Sequence, residues 1–328
     1  MSTQIKKIQI EENGGPEKML WKNFDLPDPE AGQVTIKHSY IGLNYIDTYH
    51  RSGLYPLPLP SGLGMEASGQ IISIGNSVSG LNIGDRISYV MELGSYATHR
   101  NISAERLVKI PNNIKESEAA ASMLKGMTVE YLVERLFKVS QSHTVLFHAI
   151  AGGVGLIACQ WLKSIGAFVI GTAGSEEKAE LAKKYGCDEV ILYKKENFVE
   201  KVNDITKGKG VDVVYDGVGK DTVIKGLDCL KPRGMMVVFG NSSGNCPPID
   251  PGTLAAKGSL YFTRPTLMTY GANRDDLLHS SSRVFNMIEE NKINLTINTD
   301  YKLSEVVKAH GDLESRKTVG SIVMINDY

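Results

Sequence analysis

The sequence lacks the close cysteine spacings that disulfide frameworks and zinc knuckles require. Four cysteines occur in 328 residues, with no CxxC pair among Cys159, Cys187, Cys229 and Cys246. Isolated cysteines of this kind are typical of reduced thiols and predict a cytoplasmic protein. The amino-terminal segment also lacks the continuous apolar stretch of a signal peptide.

Strong charge of either sign is absent as well. The 36 basic and 37 acidic side chains leave a formal net charge of −1, which excludes a global attraction to nucleic acid or to an anionic membrane. One apolar stretch, Thr144–Leu162, is nearly long enough to cross a bilayer. It contains His148 and three glycines and divides into a strand, a turn and a helix. We therefore expect a soluble protein without a membrane span.

The chain is long enough for about two domains, each with a sizeable core. Its first 125 residues are mostly β, because short alternating runs lie between turns rich in Gly and Pro. These runs are Gln33–His38, Ala67–Ile74 and Arg86–Val90. From about Lys115 apolar residues recur at helical spacing instead.

Strands and helices then alternate as far as residue 265. The predicted strands are His143–Ala149, Phe168–Thr172, Glu189–Leu192, Val211–Asp216, Gly234–Gly240 and Gly258–Thr263. The predicted helices are Val154–Ile165, Ser175–Tyr185, Asn197–Thr206 and Thr222–Cys229. Buried strands separated by helices indicate a doubly wound parallel sheet of the α/β class.

The tail adds a helix near Arg274–Glu290 and a short strand, Gly320–Ile325. We expect both to return to the first domain, because they follow a completed parallel sheet. The predicted organisation is a discontinuous, mostly β domain of residues 1–125 and 267–328, with a Rossmann domain of residues 126–266 between them.

A glycine-rich turn carries the cofactor prediction. The strand from His143 runs into Gly152, Gly153 and Gly155, and a helix starts at once. Glycine lets the backbone approach a pyrophosphate, and the helix amino terminus offers N–H groups to it. Ile150 replaces the first glycine of the GxGxxG pattern. The second strand that follows makes a dinucleotide site a better interpretation than a simple turn.

The end of that second strand bears on the choice of nucleotide. An NAD site usually offers an acidic residue there, whereas this strand ends in Gly174 and Ser175, with the first acid at Glu176. Ser175 and Lys178 would suit a 2′-phosphate, which predicts NADP(H). The alternative is that Ser175 only caps a helix, and both roles are compatible.

The chain resembles the quinone oxidoreductases (zeta-crystallin-like) of the medium-chain dehydrogenase/reductase superfamily. Seven motifs carry the likeness in the family's order: Gly14–Glu17, Gly42–Pro56, Leu59–Gly69, Ala119–Leu132, His148–Gly155, Val213–Gly219 and Phe239–Gly244. The resemblance covers almost the whole chain. It implies a GroES-like catalytic domain split around a Rossmann domain, NADPH as cofactor, and a homodimer.

The resemblance also assigns site residues. It places Asn44, Asp47 and Tyr55 in the nicotinamide cleft as candidate catalytic residues. It gives cofactor contacts to Asn44, Thr128, Gly152, Gly153, Val154, Gly155, Gly174, Ser175, Lys178, Tyr193, Phe239, Gly240, Asn241, Ser242 and Arg316. One departure is Met65, which stands where the family often has a small polar residue.

Zinc-dependent relatives carry Cys at the position of Asn44 and His at the position of Met65. A catalytic zinc needs three N, S or O ligands, and the seven histidines show no paired ligand spacing. The sequence therefore predicts that no metal is bound. A quinone needs less polarisation than a simple ketone, since a hydride moves it toward an aromatic hydroquinone.

Three functions remain open at this point. The first is an NADPH:quinone reductase in which Asn44 and Tyr55 hydrogen-bond a quinone oxygen. The second is a reductase of activated C=C bonds in enones or enals, and the third is a non-enzymatic nucleotide- or RNA-binding role. Asn44 would contact only the cofactor under a plainer interpretation. Asp47 would then be a structural acceptor for the backbone or for Arg51.

The segment Gly258–Leu267 is predicted to be the last strand of the parallel sheet, with no strand after it. Such an edge invites pairing with a second copy. Pro265 would mark where pairing stops. The alternative is a monomer in which the tail helix covers the edge.

Overall fold

The computed structural model describes residues 3–328, apart from the side chain of Thr299, and these form two compact units. The first unit contains the residues up to Met127 together with Gly271–Asn291 and Leu295–Tyr328. The second unit contains Thr128–Tyr270 and Lys292–Asn294. The early and late parts of the chain thus lie in one unit.

The described residues form the following strands and helices. The strands are β1 (Thr3–Gln9), β2 (Leu20–Leu26), β3 (Gln33–Leu43), β4 (Glu66–Ile74), β5 (Arg86–Val90), β6 (His99–Ser103), β7 (Val108–Lys109), β8 (Thr144–Phe147), β9 (Phe168–Ala173), β10 (Glu189–Leu192), β11 (Val211–Asp216), β12 (Leu230–Val238), β13 (Tyr261–Thr263), β14 (Ile297–Lys302) and β15 (Ser321–Ile325). The helices are α1 (Tyr45–Ser52), α2 (Glu116–Glu130), α3 (Gly153–Ile165), α4 (Glu176–Lys184), α5 (Phe198–Thr206), α6 (Val223–Gly226), α7 (Pro251–Ala256), α8 (Leu267–Tyr270), α9 (Arg274–Glu289) and α10 (Val306–Glu314). A π-helical turn, Tyr131–Leu136, continues α2.

The first unit is built on a seven-stranded sheet around the long strand β3. The strand order is β14-β15-β3-β4-β5-β7, and β6 also pairs with β3. Val34, Ile36 and Ile41 of β3 are fully buried in one apolar cluster with Tyr89 and Leu303. Because β15 pairs antiparallel with β3, the tail completes this sheet.

The second unit is a six-stranded sheet in the order β10-β9-β8-β11-β12-β13. All its pairings are parallel. Strand β11 is buried along its whole length, as expected when helices cover both faces of a sheet. The predicted doubly wound α/β sheet is confirmed, and its strand order is that of a Rossmann fold.

Several predicted boundaries in the second unit were wrong, for example the start of β12 at Leu230 and not at Gly234, and two of them have a clear structural reason. The last strand begins at Tyr261 and not at Gly258, because Gly258 (φ 104°) and Ser259 (φ 56°) form a left-handed turn before it. The predicted helix Thr222–Cys229 is a single α-helical turn, α6, followed by a 3₁₀ turn.

Within the part of the chain that the structure describes, no helix combines the length and apolar character that a bilayer span needs. The apolar stretch Thr144–Leu162 is divided between β8, a turn and α3.

Candidate functional site

The carboxyl edge of the parallel sheet collects the loops that the sequence assigns to a cofactor. Strands β8 and β11 are neighbours at the centre of the sheet, and the chain leaves them toward opposite edges. Ligands of open α/β sheets bind beside the carboxyl ends of strands at such a switch point. The glycine-rich turn follows β8 at this place.

Gly152 and Gly155 serve different purposes in the turn. A Cβ on Gly155 would lie 2.4 Å from the carbonyl oxygen of Ile150, so close packing of α3 on the strand requires glycine there. A Cβ on Gly152 would meet nothing nearer than the Ala149 oxygen at 3.2 Å. Gly152 is exposed, and a side chain at this position would need only a small shift of that oxygen.

Gly152 is also the N-cap of α3, and no side chain caps this helix. The first N–H groups of a helix have no partner within it, and here Gly153 and Val154 begin the first turn. An uncapped helix end behind an exposed glycine fits the pyrophosphate of a dinucleotide. The turn therefore has the features that a pyrophosphate site requires.

Ile150, the departure from the glycine pattern, has a packing explanation. Its side chain is fully buried, and its Cγ2 lies 2.5 Å from where a Cβ on Gly171 would be placed. The isoleucine therefore fills the space that a glycine in the neighbouring strand β9 leaves. Gly171 on the neighbouring strand thus makes room for Ile150, which stands at the position of the first glycine of the pattern.

The end of β9 carries the residues assigned to the adenosine phosphate. Ser175 is the N-cap of α4, and its hydroxyl accepts a hydrogen bond from the Lys178 N–H at 3.3 Å. The hydroxyl of Tyr193 lies 2.9 Å from the place of a Cβ on Gly174, so Tyr193 closes over the glycine. The first acid, Glu176, forms an ion pair with Lys195 at 2.6 Å. The helix cap foreseen for Ser175 is thus present.

The loop after β12 packs against the loop after β11. A Cβ on Gly240 would lie 2.6 Å from the oxygen of Gly217, and the Ser242 N–H donates to the same oxygen at 3.2 Å. Phe239 lies with its ring centroid 5.6 Å from that of Phe147 in β8. Asn241 is buried in the same loop, and Thr128 is buried in α2.

The candidate catalytic residues lie in the first unit, around the start of α1. The backbone N–H of Asn44, the N-cap, donates to Asp47 Oδ2 at 2.9 Å, which closes a capping box. The Asn44 amide donates to Glu66 Oε2 at 2.9 Å. Tyr55 follows α1, is partly exposed, and lies 5.0 Å from the ring of Tyr49 in a T-shaped arrangement.

Asp47 is fully buried. It accepts the Asn44 N–H, and the hydroxyl of Tyr96 donates to its Oδ2 at 2.9 Å. Burial raises the pKa of Asp47 to about 7, although these hydrogen bonds and the positive charge of Lys125 lower it. A carboxyl group of this kind exchanges a proton near neutral pH.

Of the two structural partners expected for Asp47, the backbone is observed and Arg51 is not. Asp47 turns back to cap its own helix, whereas Arg51 donates to the oxygen of Gly14 at 3.1 Å, to Nδ1 of His310 at 2.8 Å and to Glu314 Oε1 at 2.6 Å. His310 in turn lies 2.9 Å from the Tyr96 hydroxyl through its Nε2. Arg51 therefore reaches Asp47 only through His310 and Tyr96.

Sequence reasoning missed two charged residues beside Asn44. Glu66 and Lys125 are both buried, and Lys125 Nζ lies 3.6 Å from Glu66 Oε2. Each had a signal in the sequence: Glu66 is an isolated charge at the start of an apolar strand, and Lys125 interrupts an apolar helical run. Buried charges without a solvating environment are rare and mark sites worth testing.

Arg316 lies in the first unit, after α10, and is exposed with a positive φ of 60°. Asn44, Asp47 and Tyr55 share this unit, whereas the other predicted cofactor contacts belong to the second unit. Met65 is buried. Among the described residues, no group of three or more His, Cys, Asp or Glu side chains is arranged to hold a metal ion.

Comparisons with known proteins agree with the two-unit fold. A family model described as "Zinc-binding dehydrogenase" matches residues 153–272, and one described as "Alcohol dehydrogenase GroES-like domain" matches residues 30–112. The structure of Escherichia coli quinone oxidoreductase complexed with NADPH superimposes with a TM-score of 0.95 at 45% identity, covering 98% of this chain and 99% of that one.

Two curated relatives match over nearly their full lengths. A quinone oxidoreductase from Pseudomonas aeruginosa is 44% identical over 98% of this chain and 99% of its own. A 2-haloacrylate reductase from a Burkholderia species is 40% identical over 96% of this chain and 97% of its own. The fold and the glycine turn define a Rossmann oxidoreductase with a GroES-like domain. The chain belongs to the quinone oxidoreductase family of the medium-chain dehydrogenase/reductase superfamily.

Proposed function

We propose that this protein is a zinc-independent NADPH:quinone oxidoreductase. The observation that carries the proposal is the uncapped, glycine-lined start of α3 at the switch point of the parallel sheet. The 45% identity to a quinone oxidoreductase that binds NADPH supports the same cofactor. When bound, NADPH supplies a hydride, and the residues of this chain supply its orientation and the environment of the acceptor.

The cofactor contacts that we propose follow the order of the loops. Gly152, Gly153, Val154 and Gly155 hold the pyrophosphate on the N–H groups of α3. Gly174, Ser175, Lys178 and Tyr193 surround the adenosine phosphate. Thr128, Phe239, Gly240, Asn241, Ser242, Asn44 and Arg316 complete the set toward the nicotinamide.

Ser175 and Lys178 favour the phosphorylated cofactor. The cap that Ser175 makes uses one lone pair of its hydroxyl, which still leaves an O–H to donate to a phosphate oxygen. Lys178, in the first turn of α4, brings a positive charge to the amino-terminal end of this helix. No acidic residue precedes Glu176 at the end of β9, so nothing there repels a 2′-phosphate.

In the first unit, Asn44 and Tyr55 act as hydrogen-bond donors to the acceptor oxygen as negative charge develops on it. One N–H of the Asn44 amide is held by Glu66, which fixes the direction of the other. Asp47 positions Asn44 through the capping box. Its pKa of about 7 lets it hold a proton at the pH of the reaction.

A second candidate is reduction of an activated C=C bond. It is favoured by the 40% identity to a 2-haloacrylate reductase. Both reactions add a hydride to an electron-poor π system. A hydrogen-bond donor to the conjugated oxygen would stabilise the developing negative charge in either reaction.

A panel of acceptors distinguishes the two. NADPH oxidation is followed with ortho-quinones, para-quinones, enones, 2-chloroacrylate and buffer alone, each with and without a chelator. We expect quinone turnover that chelation leaves unchanged. Turnover of the alkenes alone would favour the second candidate, and chelator-sensitive turnover restored by zinc would contradict zinc independence.

We also propose a homodimer, formed by pairing of the β13 edges of two copies. Strand β13 is the edge of its sheet, and Tyr261 on it is 60% exposed. The four cysteines are unpaired thiols, which supports a cytoplasmic location. The domain boundaries 1–125 with 267–328, and 126–266, stay predictions that limited proteolysis can test.

A further inference from the structure

Lys125 places a positive charge in the interior of the first unit. Of the described residues, two basic side chains are buried, Arg51 and Lys125. The guanidinium of Arg51 is occupied by Gly14, His310 and Glu314. The ammonium of Lys125 makes no hydrogen bond to any described residue, and its nearest anion is Glu66 Oε2 at 3.6 Å.

An ammonium group carries three N–H donors. A buried donor without an acceptor costs free energy, and an ion pair at 3.6 Å does not satisfy three of them. A buried ammonium of this kind is expected where atoms of a ligand accept its hydrogen bonds. Lys125 is 5% exposed, so bulk water does not supply these acceptors.

Glu66 is held rigidly and fixes the position of Lys125. Its Oε1 accepts the backbone N–H of Leu124 at 2.6 Å, and its Oε2 accepts the Asn44 amide at 2.9 Å. A Cβ on Gly42 would lie 2.3 Å from Oε2, so the carboxylate has no room to move toward β3. Lys125 and the candidate catalytic residue Asn44 therefore converge on one oxygen atom.

Two buried acids, Glu66 and Asp47, interact with the charge of Lys125. Burial raises the pKa of Glu66 and of Asp47, and the positive charge of Lys125 lowers both. The ammonium of Lys125 and the amide of Asn44 thus contact the same oxygen atom, Glu66 Oε2.

We propose that Lys125 is a catalytic residue whose ammonium donates a hydrogen bond, and then a proton, to the carbonyl oxygen of the quinone. This assignment rests on the proposed quinone reduction. As the hydride brings two electrons to the quinone, negative charge collects on that oxygen. The C–H bond of the reduced cofactor supplies a hydride, which is two electrons and one hydrogen of the hydroquinone, and the Nζ–H bond breaks as an O–H bond forms, which supplies the other hydrogen. NADP⁺ and a neutral amine result, and the amine regains a proton from water after the hydroquinone has left.

The first test compares Lys125→Met with Lys115→Met, a control at an exposed lysine directly before α2. We expect kcat for a para-quinone to fall by about 100-fold in Lys125→Met, the usual effect of losing an acid or an oxyanion donor. NADPH affinity, measured by titration calorimetry, stays unchanged. The control keeps the kcat of the wild type.

The second test separates chemistry from charge balance. If Lys125 only neutralised Glu66, the double variant Lys125→Met, Glu66→Gln would recover the lost kcat. We expect the double variant to fold normally and its kcat to remain as low as that of Lys125→Met. Recovery in the double variant overturns the proposal.

A third test supplies the missing group from outside. In Lys125→Ala, ethylammonium and propylammonium ions fill the vacated space, and we expect a saturable rise in kcat that tetramethylammonium, which has no N–H, does not give. Equal effects of all three ions contradict proton donation. A wild-type protein that reduces no quinone would refute the proposed function itself, whereas an active wild type with an equally active Lys125→Met refutes only the role of Lys125.

Discussion

Arg51 Nη1 lies 2.8 Å from Nδ1 of His310. An arginine only donates hydrogen bonds, so Nδ1 is the acceptor and the ring proton is on Nε2. The Nε2–H then donates to the hydroxyl oxygen of Tyr96, whose own proton goes to Asp47. One arginine therefore sets the direction of every hydrogen bond between the tail of the chain and Asp47.

Removing this arginine should destabilise the first unit. In Arg51→Met the buried acceptors on His310 and Gly14 lose their donor, and we expect a loss of about 2–3 kcal/mol in the free energy of unfolding. Glu314→Gln is the matched control, because it removes only a partly exposed partner, worth less than about 1 kcal/mol. Urea unfolding measures both. Equal losses in the two variants would contradict the buried role of Arg51.

The stability of the protein should fall in acid through His310. Burial, with the charge of Arg51, lowers the pKa of His310 to about 3, whereas a histidine in the unfolded chain titrates near pH ~6.5. Between these values the unfolded state binds a proton that the folded state does not, so stability is complete above pH ~6.5 and is lost as the pH falls toward 3. His310→Gln should flatten this dependence.

Urea unfolding at a series of pH values provides the measurement. Asp47, with its raised pKa of about 7, contributes a slope of opposite sign, so the difference between wild type and variant is the quantity to compare. His279→Gln, at an exposed histidine, is the control and should follow the wild type. A slope in His310→Gln as steep as in the wild type would rule out this explanation.

The two glycines of the turn should respond differently to alanine. Gly155→Ala places a methyl group against backbone atoms of Ile150, and we expect a loss of about 1–3 kcal/mol in stability. Gly152→Ala meets only one oxygen at 3.2 Å, so its melting temperature should stay near that of the wild type. Its NADPH affinity should fall at least about tenfold, since the methyl group stands where the pyrophosphate approaches. Calorimetry showing wild-type affinity in Gly152→Ala would remove this glycine from the cofactor site.

Cofactor choice should depend on Lys178. NADPH should bind at least about tenfold more tightly than NADH, because charge-assisted phosphate contacts are worth roughly 1.5–3 kcal/mol. Lys178→Ala should remove most of that difference while leaving NADH affinity unchanged. Lys184→Ala, an exposed lysine at the other end of α4, is the control. Equal affinity of the wild type for both cofactors would refute the preference.

Assembly should depend on the edge strand β13. Tyr261→Lys places a charge on the edge, a common device against strand pairing, and we expect light scattering to show the mass of one chain in place of two. Ile83→Lys alters another exposed hydrophobic residue, 68% accessible in the first unit, and should leave the mass unchanged. A wild-type protein of single-chain mass at micromolar concentration would exclude the dimer.

Much of the second unit could be predicted from short stretches of the sequence. Each strand and helix there is a short continuous pattern, and the glycine turn lies within a single stretch from Gly152 to Gly155. The errors fell at turns, where Gly258 and Ser259 adopt left-handed conformations that a pattern of β-forming residues does not reveal. Ile150 was recognised as a departure, but its partner Gly171 lies on the next strand.

The catalytic side of the site was harder to predict for a physical reason. Tyr96 and His310 are 214 positions apart in the chain, and only the folded sheet brings them together. Arg51 and Asp47 lie one helical turn apart, and that local spacing favoured a pair which the capping of α1 prevents. Lys125 and Glu66 were each visible as isolated charges in apolar runs, but their contact depends on the packing of α2 against β4.

Strand β3 pairs on one side with β4, and on the other side with β6 at its first half and with β15 at its second half. During synthesis the six strands of the second unit have all emerged by Thr263, so that unit has its complete sheet before the first unit does. Domains generally fold as units while the chain is made. Until β15 is made, the first unit has the second half of one edge of β3 open, and an open edge can pair with another chain. A stop codon that removes only the last strand would therefore damage the part of the molecule that is made first.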